Sequence, residues 1–186
     1  HARQFGLSKD GEPVFWKTLA RNKRSLCLDL KSDGGREVFE RLVAEADVII
    51  ENFRPGVLAR LGWDYARLSE IHPRLVLLSV TGYGQDGPYA QRPGFGTLIE
   101  AMSGFAASNG HPDGPPTLPA IPLADGVAGA FGALSVMIAL RERDGDGTHD
   151  EAWYIDTALR HTDRVRPVLV RAIDEDGDLD MHLGPD

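Results

Sequence analysis

Residues 25–80 alternate between short apolar runs and amphipathic stretches, and this alternation leaves few architectures open. Ser25-Leu26-Cys27-Leu28-Asp29-Leu30, Asp47-Val48-Ile49-Ile50-Glu51-Asn52 and Leu75-Val76-Leu77-Leu78-Ser79-Val80 are short and apolar, as strands buried in a sheet are. Asp33-Gly34-Gly35 breaks the chain after the first run. Val38, Phe39, Leu42, Val43 and Ala46 then recur at helical spacing over residues 36–46. Between the second and third runs, Pro55 opens a short helical turn through Leu61 and Gly62 ends it. Asp64 caps another helix through Ile71, and Pro73 stops that one. Strands separated by helices predict an α/β fold with parallel strands joined by crossovers.

The expected fold class is α/β, a Rossmann-like parallel sheet with flanking helices. Ligands on such sheets bind beyond the carboxyl ends of the strands, here Lys31, Asn52-Phe53-Arg54 and Thr81-Gly82. Residues 82–96 read as a glycine- and proline-rich loop, Thr97–Met102 as a helix and 104–122 as a second loop. Long loops of this kind are often functional. Residues 126–141 predict a helix that is apolar nearly all round and therefore buried. Residues 151–160 read as one more helix, and disorder is expected from about Asp174.

No apolar run approaches the roughly 20 residues a membrane span needs, and His1–Asp10 has no signal-peptide core. A single cysteine, Cys27, excludes an intrachain disulfide. It reads as a small buried hydrophobe, and a reducing cytoplasm is the expected compartment. Residues 141–186 hold 13 Asp and Glu against 6 Arg, which accounts for −7 of the chain's net −8. Such a tail argues against nucleic-acid binding and reads as solvated or disordered chain.

Gly82-x-Gly84-x-x-Gly87 follows a predicted strand, as a dinucleotide fingerprint does, but Pro88 comes where the phosphate-binding helix must open. A flexible loop near a ligand is the better reading. His72, His111, His149 and His161 are isolated in sequence, so no metal site is expected. Asp125 stands at the mouth of the apolar helix. It reads as an N-cap, and a helix N-terminus would keep it ionised and able to act as a nucleophile. Lys23, Arg24, Lys31, Arg54 and Arg60 lie near the ligand edge, where phosphates would need such donors.

Several ordered motifs together resemble the class III CoA-transferase family, which includes formyl-CoA transferases and α-methylacyl-CoA racemases. They are Asn22-Lys23-Arg24-Ser25 with Leu28-Asp29-Leu30-Lys31; Ala46 through Gly56; Gly82-Tyr83-Gly84-Gln85-Asp86-Gly87-Pro88-Tyr89; Arg92-Pro93-Gly94-Phe95; Ser103-Gly104; and Asp113-Gly114-Pro115-Pro116 ahead of Asp125. The resemblance covers about residues 20–143. It implies a Rossmann-like large domain and an interlocked homodimer in the full-length protein. Its nucleophilic aspartate falls on Asp125. Its CoA-contacting positions fall on Leu28, Lys31, Asn52, Phe53, Arg54, Arg60, Gly94, Phe95, Gly96 and Thr97. The substrates implied are an acyl-CoA and a free carboxylic acid, with no permanently bound cofactor, metal, nucleic acid or membrane.

The family's racemases carry a histidine where this chain has Phe95, and a phenyl ring cannot accept a proton. A transferase is therefore expected ahead of a racemase. The family pattern also starts earlier and continues further than this chain, and the missing Met suggests that the chain begins inside a longer product. Residues 1–160 read as a partial large domain and 161–186 as a divergent acidic tail. An inactive fragment that at most binds CoA is the non-enzymatic alternative.

Overall fold

The computed structural model describes residues 4–145 and the backbone of 153–156. Near the N-terminus Asp10 and Gly11 both take positive φ (53° and 79°), the geometry of a two-residue hairpin turn. They join β1 (Ser8–Lys9) to β2 (Glu12–Pro13), and α1 (Val14–Leu19) follows.

The strand expected at residues 25–30 does not form: residues 23–29 run without helix or strand, and Leu26 and Cys27 are exposed. An apolar run becomes a strand only where a neighbour takes its backbone hydrogen bonds, and no described strand pairs with this one. Cys27 is accordingly not the buried hydrophobe that its neighbours suggest. Asp33-Gly34-Gly35 is also not a break, because it is the first turn of α2 (Asp33–Glu45). The Ser32 hydroxyl caps that turn by accepting from the Gly35 N–H at 3.1 Å. Gly35 is required there, since a Cβ would stand 1.8 Å from the Asp29 carbonyl oxygen.

The main sheet has three parallel strands in the order β3 (Val48–Glu51), β4 (Val76–Ser79), β5 (Trp153–Asp156). The helix expected at 151–160 is therefore replaced by β5 at its described positions. Trp-Tyr-Ile is a β-prone run, and the edge of β4 gives it a partner. Residues 157–160 and the acidic tail 161–186 lie outside the described residues.

Between β3 and β4 run α3 (Val57–Arg60) and α4 (Tyr65–Ile71), where Asp64 Oδ1 accepts from the Arg67 N–H at 2.8 Å. Gly62 ends α3 with φ +85°. After β4 come α5 (Gly96–Met102), α6 (Phe105–Ser108) within the expected second loop, and α7 (Leu123–Gly145).

Period-two alternation divides β4 between two cores. Leu75 and Leu77 face α2, α3 and α4, where they pack with Val43, Phe53, Leu58, Trp63 and Leu68. Val76, Leu78 and Val80 face Ala128 and Ala139 of α7. Both faces of β4 are covered, as in parallel sheets generally.

Helix α7 begins three residues before the expected 126 and is not buried as expected. Its sheet side is covered, but Phe131, Leu134, Met137 and Ile138 are each more than half exposed. At 23 residues it is long and apolar enough to cross a bilayer by length and composition alone, which corrects the sequence estimate. Its docking on β4 is that of a core helix with one face open.

Candidate active site

The direction of α7 sets the site. At its C-terminal end Arg143 Nη2 meets Asp47 Oδ1 at 2.9 Å, just before β3. Arg143 Nη1 also donates to the Arg74 carbonyl at 3.3 Å, just before β4. The helix thus ends at the amino edge of the sheet. Asp125 lies about 27 Å up the axis from Arg143, whereas β3 advances only about 17 Å from Asp47 to Asn52. The first turn of α7 therefore stands at and beyond the carboxyl edge, where α/β sheets bind ligands.

Asp125 is not the N-cap. The residue before α7 is Pro122, which has no side-chain acceptor. The free Ala124 N–H instead donates to Glu100 Oε1 of α5 at 2.9 Å. Glu100 is 7% exposed and lies one turn after Gly96 on the same helix face. The Asp125 carboxylate rests on buried Gly96, where an added Cβ would come within 3.1 Å of Oδ2 and 3.3 Å of Oδ1. Its outer side is open to solvent.

Burial of its inner side pushes the Asp125 carboxyl above its ordinary pKa of 3.8, and the nearby Glu100 charge pushes it further. The hydrogen bond from its own backbone N–H acts in the opposite direction and is outweighed. This corrects the expectation that the helix N-terminus alone would favour the anion. A more basic carboxylate is a stronger nucleophile once ionised.

The other residues singled out from the sequence reach the same edge by different routes. Leu28 is half-buried and Lys31 exposed on the turn into α2, whose C-terminal end leads straight to β3. The Lys31 N–H donates to Asp29 Oδ1 at 2.9 Å, which sets that turn. Asn52 is buried, and its Nδ2 donates to the Val80 carbonyl at 3.2 Å, tying the ends of β3 and β4 together. Phe53 is buried, with its ring packed in the core among Val43, Leu58 and Trp63. Arg54 and Arg60 are exposed around α3. Gly94 and Gly96 are buried, while Phe95 and Thr97 are exposed at the start of α5. Asp125 and Gly96 are in contact; Leu28, Lys31, Arg54 and Arg60 share the edge by topology.

Gly84 and Gly87 both adopt positive φ (88° and 86°), and no helix opens before Gly96. The glycines serve turns rather than a pyrophosphate cradle. The loop packs on itself, with Tyr83 against Tyr89 at 5.7 Å, Arg92 over the Tyr89 ring, and the Tyr83 hydroxyl on Met102 Sδ at 2.7 Å. Among the described residues no cluster of three or more His, Cys, Asp or Glu could hold a metal.

A family model described as CoA-transferase family III matches residues 1–165. The chain belongs to that family. It is 46% identical over 161 residues to the succinyl-CoA–L-malate CoA-transferase beta subunit of Chloroflexus aurantiacus, covering 84% of this chain and 38% of that protein. It is 41% identical over 160 residues to the acetyl-CoA:oxalate CoA-transferase of Acetobacter aceti, covering 84% and 41%. A crystal structure of a CAIB/BAIF family protein from Brucella suis superposes with TM-score 0.71 at 38% identity, covering 77% of this chain and 40% of that one. The chain thus spans about two fifths of the length of these CoA-transferase family III relatives.

Glu100 is the site residue that sequence reading missed. The available signal was its spacing of four from Gly96, which puts both on one face of the helix leading out of the Arg92–Phe95 motif.

Proposed function

We propose that this chain carries the nucleophile and part of the CoA-facing edge of a transferase that moves CoA between an acyl-CoA and a free carboxylic acid. The observation that carries the reading is the Asp125 carboxylate, seated on Gly96 at the carboxyl edge with its outer side open. The names of the relatives support it, since they pair a CoA thioester with a small carboxylate.

In this reading an Asp125 oxygen attacks the thioester carbonyl. The C–S bond breaks, giving an aspartyl–acyl anhydride and CoA thiolate. The thiolate attacks the aspartyl carbonyl, releasing the donor acid and leaving an aspartyl–CoA thioester. The acceptor carboxylate attacks that thioester and forms a second anhydride. Thiolate then takes the acceptor acyl group and frees Asp125. Each step exchanges one activated carbonyl for another, so the activation is never lost to water. Backbone N–H groups would stabilise the oxyanions. The anhydride needs shielding from water, and we assign that to further protein folded over the edge. The open apolar face of α7 supports such a cover, and we extend the proposal to an interlocked homodimer in the cytoplasm for the longer protein. Phe95, next to Gly96, offers no base opposite Asp125, which favours transfer over racemisation.

Mass spectrometry after mixing the chain with succinyl-CoA tests the reading. A CoA adduct on Asp125 is expected, and Asp125→Ala removes it entirely. An unlabelled wild-type chain, under conditions that label a full-length relative, would assign it instead to an inert or merely CoA-binding piece. Lys31→Ala and Arg60→Ala should each weaken CoA binding about tenfold by calorimetry, as expected for losing one charged phosphate contact. Unchanged affinity in both would remove them from the site.

A further inference from the structure

Helix α7 starts without any local cap. The residues ahead of it are Pro119, Ala120, Ile121 and Pro122, none with a side-chain acceptor, whereas Ser32 and Asp64 cap α2 and α4 from the adjacent position. The acceptor comes instead from 24 residues earlier in the chain, where buried Glu100 takes the Ala124 N–H at 2.9 Å. Ala124 is the residue immediately before Asp125, and Gly96, one turn before Glu100, is the surface on which the Asp125 carboxylate rests. One face of α5 therefore holds both the backbone of α7's first turn and the aspartate's head group.

We propose that Glu100 is a positioning residue for Asp125: its carboxylate, set on α5, replaces an N-cap for α7 and fixes the aspartate over Gly96. The proposal rests on the reading of Asp125 as nucleophile. Burying a second acid beside the first is costly unless it has a use, because a glutamine would accept the same N–H bond without the charge. The use is electrostatic. Of the elements packed here, α5 contributes Glu100 and α7 contributes Asp125 itself; burial is the first cause of the aspartate's raised basicity, and Glu100 is the charged neighbour that adds to it.

Two variants of the chain separate the roles. Glu100→Gln keeps the acceptor and removes the charge. Glu100→Asp keeps the charge and shortens the reach by one methylene. The carboxyl titration of Asp125 is followed by carbon-detected NMR, labelling by succinyl-CoA by mass spectrometry across pH, and folding by thermal melting. For Glu100→Gln we expect a near wild-type melt, an Asp125 titration moved to lower pH, and a labelling profile whose acid limb moves with it. For Glu100→Asp we expect the titration to stay high while labelling slows about 10- to 100-fold at every pH, as for a nucleophile displaced by about an ångström.

An Asp125 titration unmoved in folded Glu100→Gln, or wild-type labelling by folded Glu100→Asp, overturns the proposal. Should Glu100→Gln not fold, Glu100→Asp decides alone: wild-type labelling overturns the proposal, and slowed labelling with an unchanged melt upholds it. The titration needs no turnover. A shifted Asp125 in a chain that never labels would therefore sink the transferase reading and leave the charge coupling of Glu100 to Asp125 standing.

Discussion

At its C-terminal end α7 closes on opposite charges, while at its N-terminal end it brings two acids together. Arg143 bonds Asp144, Asp47 and the Arg74 carbonyl, and Arg74 reaches back to Asp144 at 3.0 Å. Asp144 is held below its ordinary pKa, first by the hydrogen bond from Arg143. Asp125, on the same helix, is pushed above that value by burial and by Glu100. One end obeys the rule that charges near protein find partners, and the other breaks it. The difference marks the first end as an anchor to the sheet and the second as the end that holds the proposed nucleophile.

Removing the anchor should have the largest effect on the fold. Arg143→Ala is expected to cost about 1–2 kcal/mol in urea titration, below the usual figure for a buried pair because both aspartates stay largely exposed. A loss under about 0.3 kcal/mol would show that the clamp holds nothing.

Smaller effects should differ in sign between the two ends. A lowered carboxyl stabilises the fold above its unfolded pKa, and that contribution is lost as pH falls through the folded value. Asp144→Asn should therefore lower Tm at neutral pH by less than about 2 °C, with the difference gone in acid below the ordinary aspartate range. A raised carboxyl does the opposite: its contribution is present below the unfolded pKa and lost as pH rises through the folded one. Asp125→Asn should therefore raise Tm at neutral pH by about 1–2 °C, the gain fading as pH falls to 3. Melting curves at several pH values read both. Shifts of the same sign would erase the contrast between the ends.

Much of the scaffold was legible because its signals are local. The runs at 47–52 and 75–80 became β3 and β4, Asp64 caps α4, and Gly62 ends α3. Asp125 was singled out by its place at the mouth of the apolar helix and by the family motifs, while its position at the carboxyl edge comes from the Arg143 anchor and the length of α7. The errors share one cause. The 25–30 run has strand-like residues but no paired neighbour, and Trp153–Asp156 became a strand beside the edge of β4. Asp10-Gly11 is a hairpin signal whose flanking strands, two residues each, are too short to show periodicity. The apolarity of 126–141 foretold a helix, but burial depends on what lies opposite, and the described protein covers one side only.

Local pattern determined the α/β class and the parallel core strands, which are written in neighbouring residues and their periods, while the ordered motifs carried the family resemblance that points to Asp125. Tertiary structure alone decided which carboxylate caps α7, which way the Asp125 titration moves and which apolar run gains a sheet partner. Those outcomes depend on groups 24 or more residues apart in the chain meeting within hydrogen-bond distance. Electrostatics and strand pairing act through space, and a local pattern carries no record of that distance.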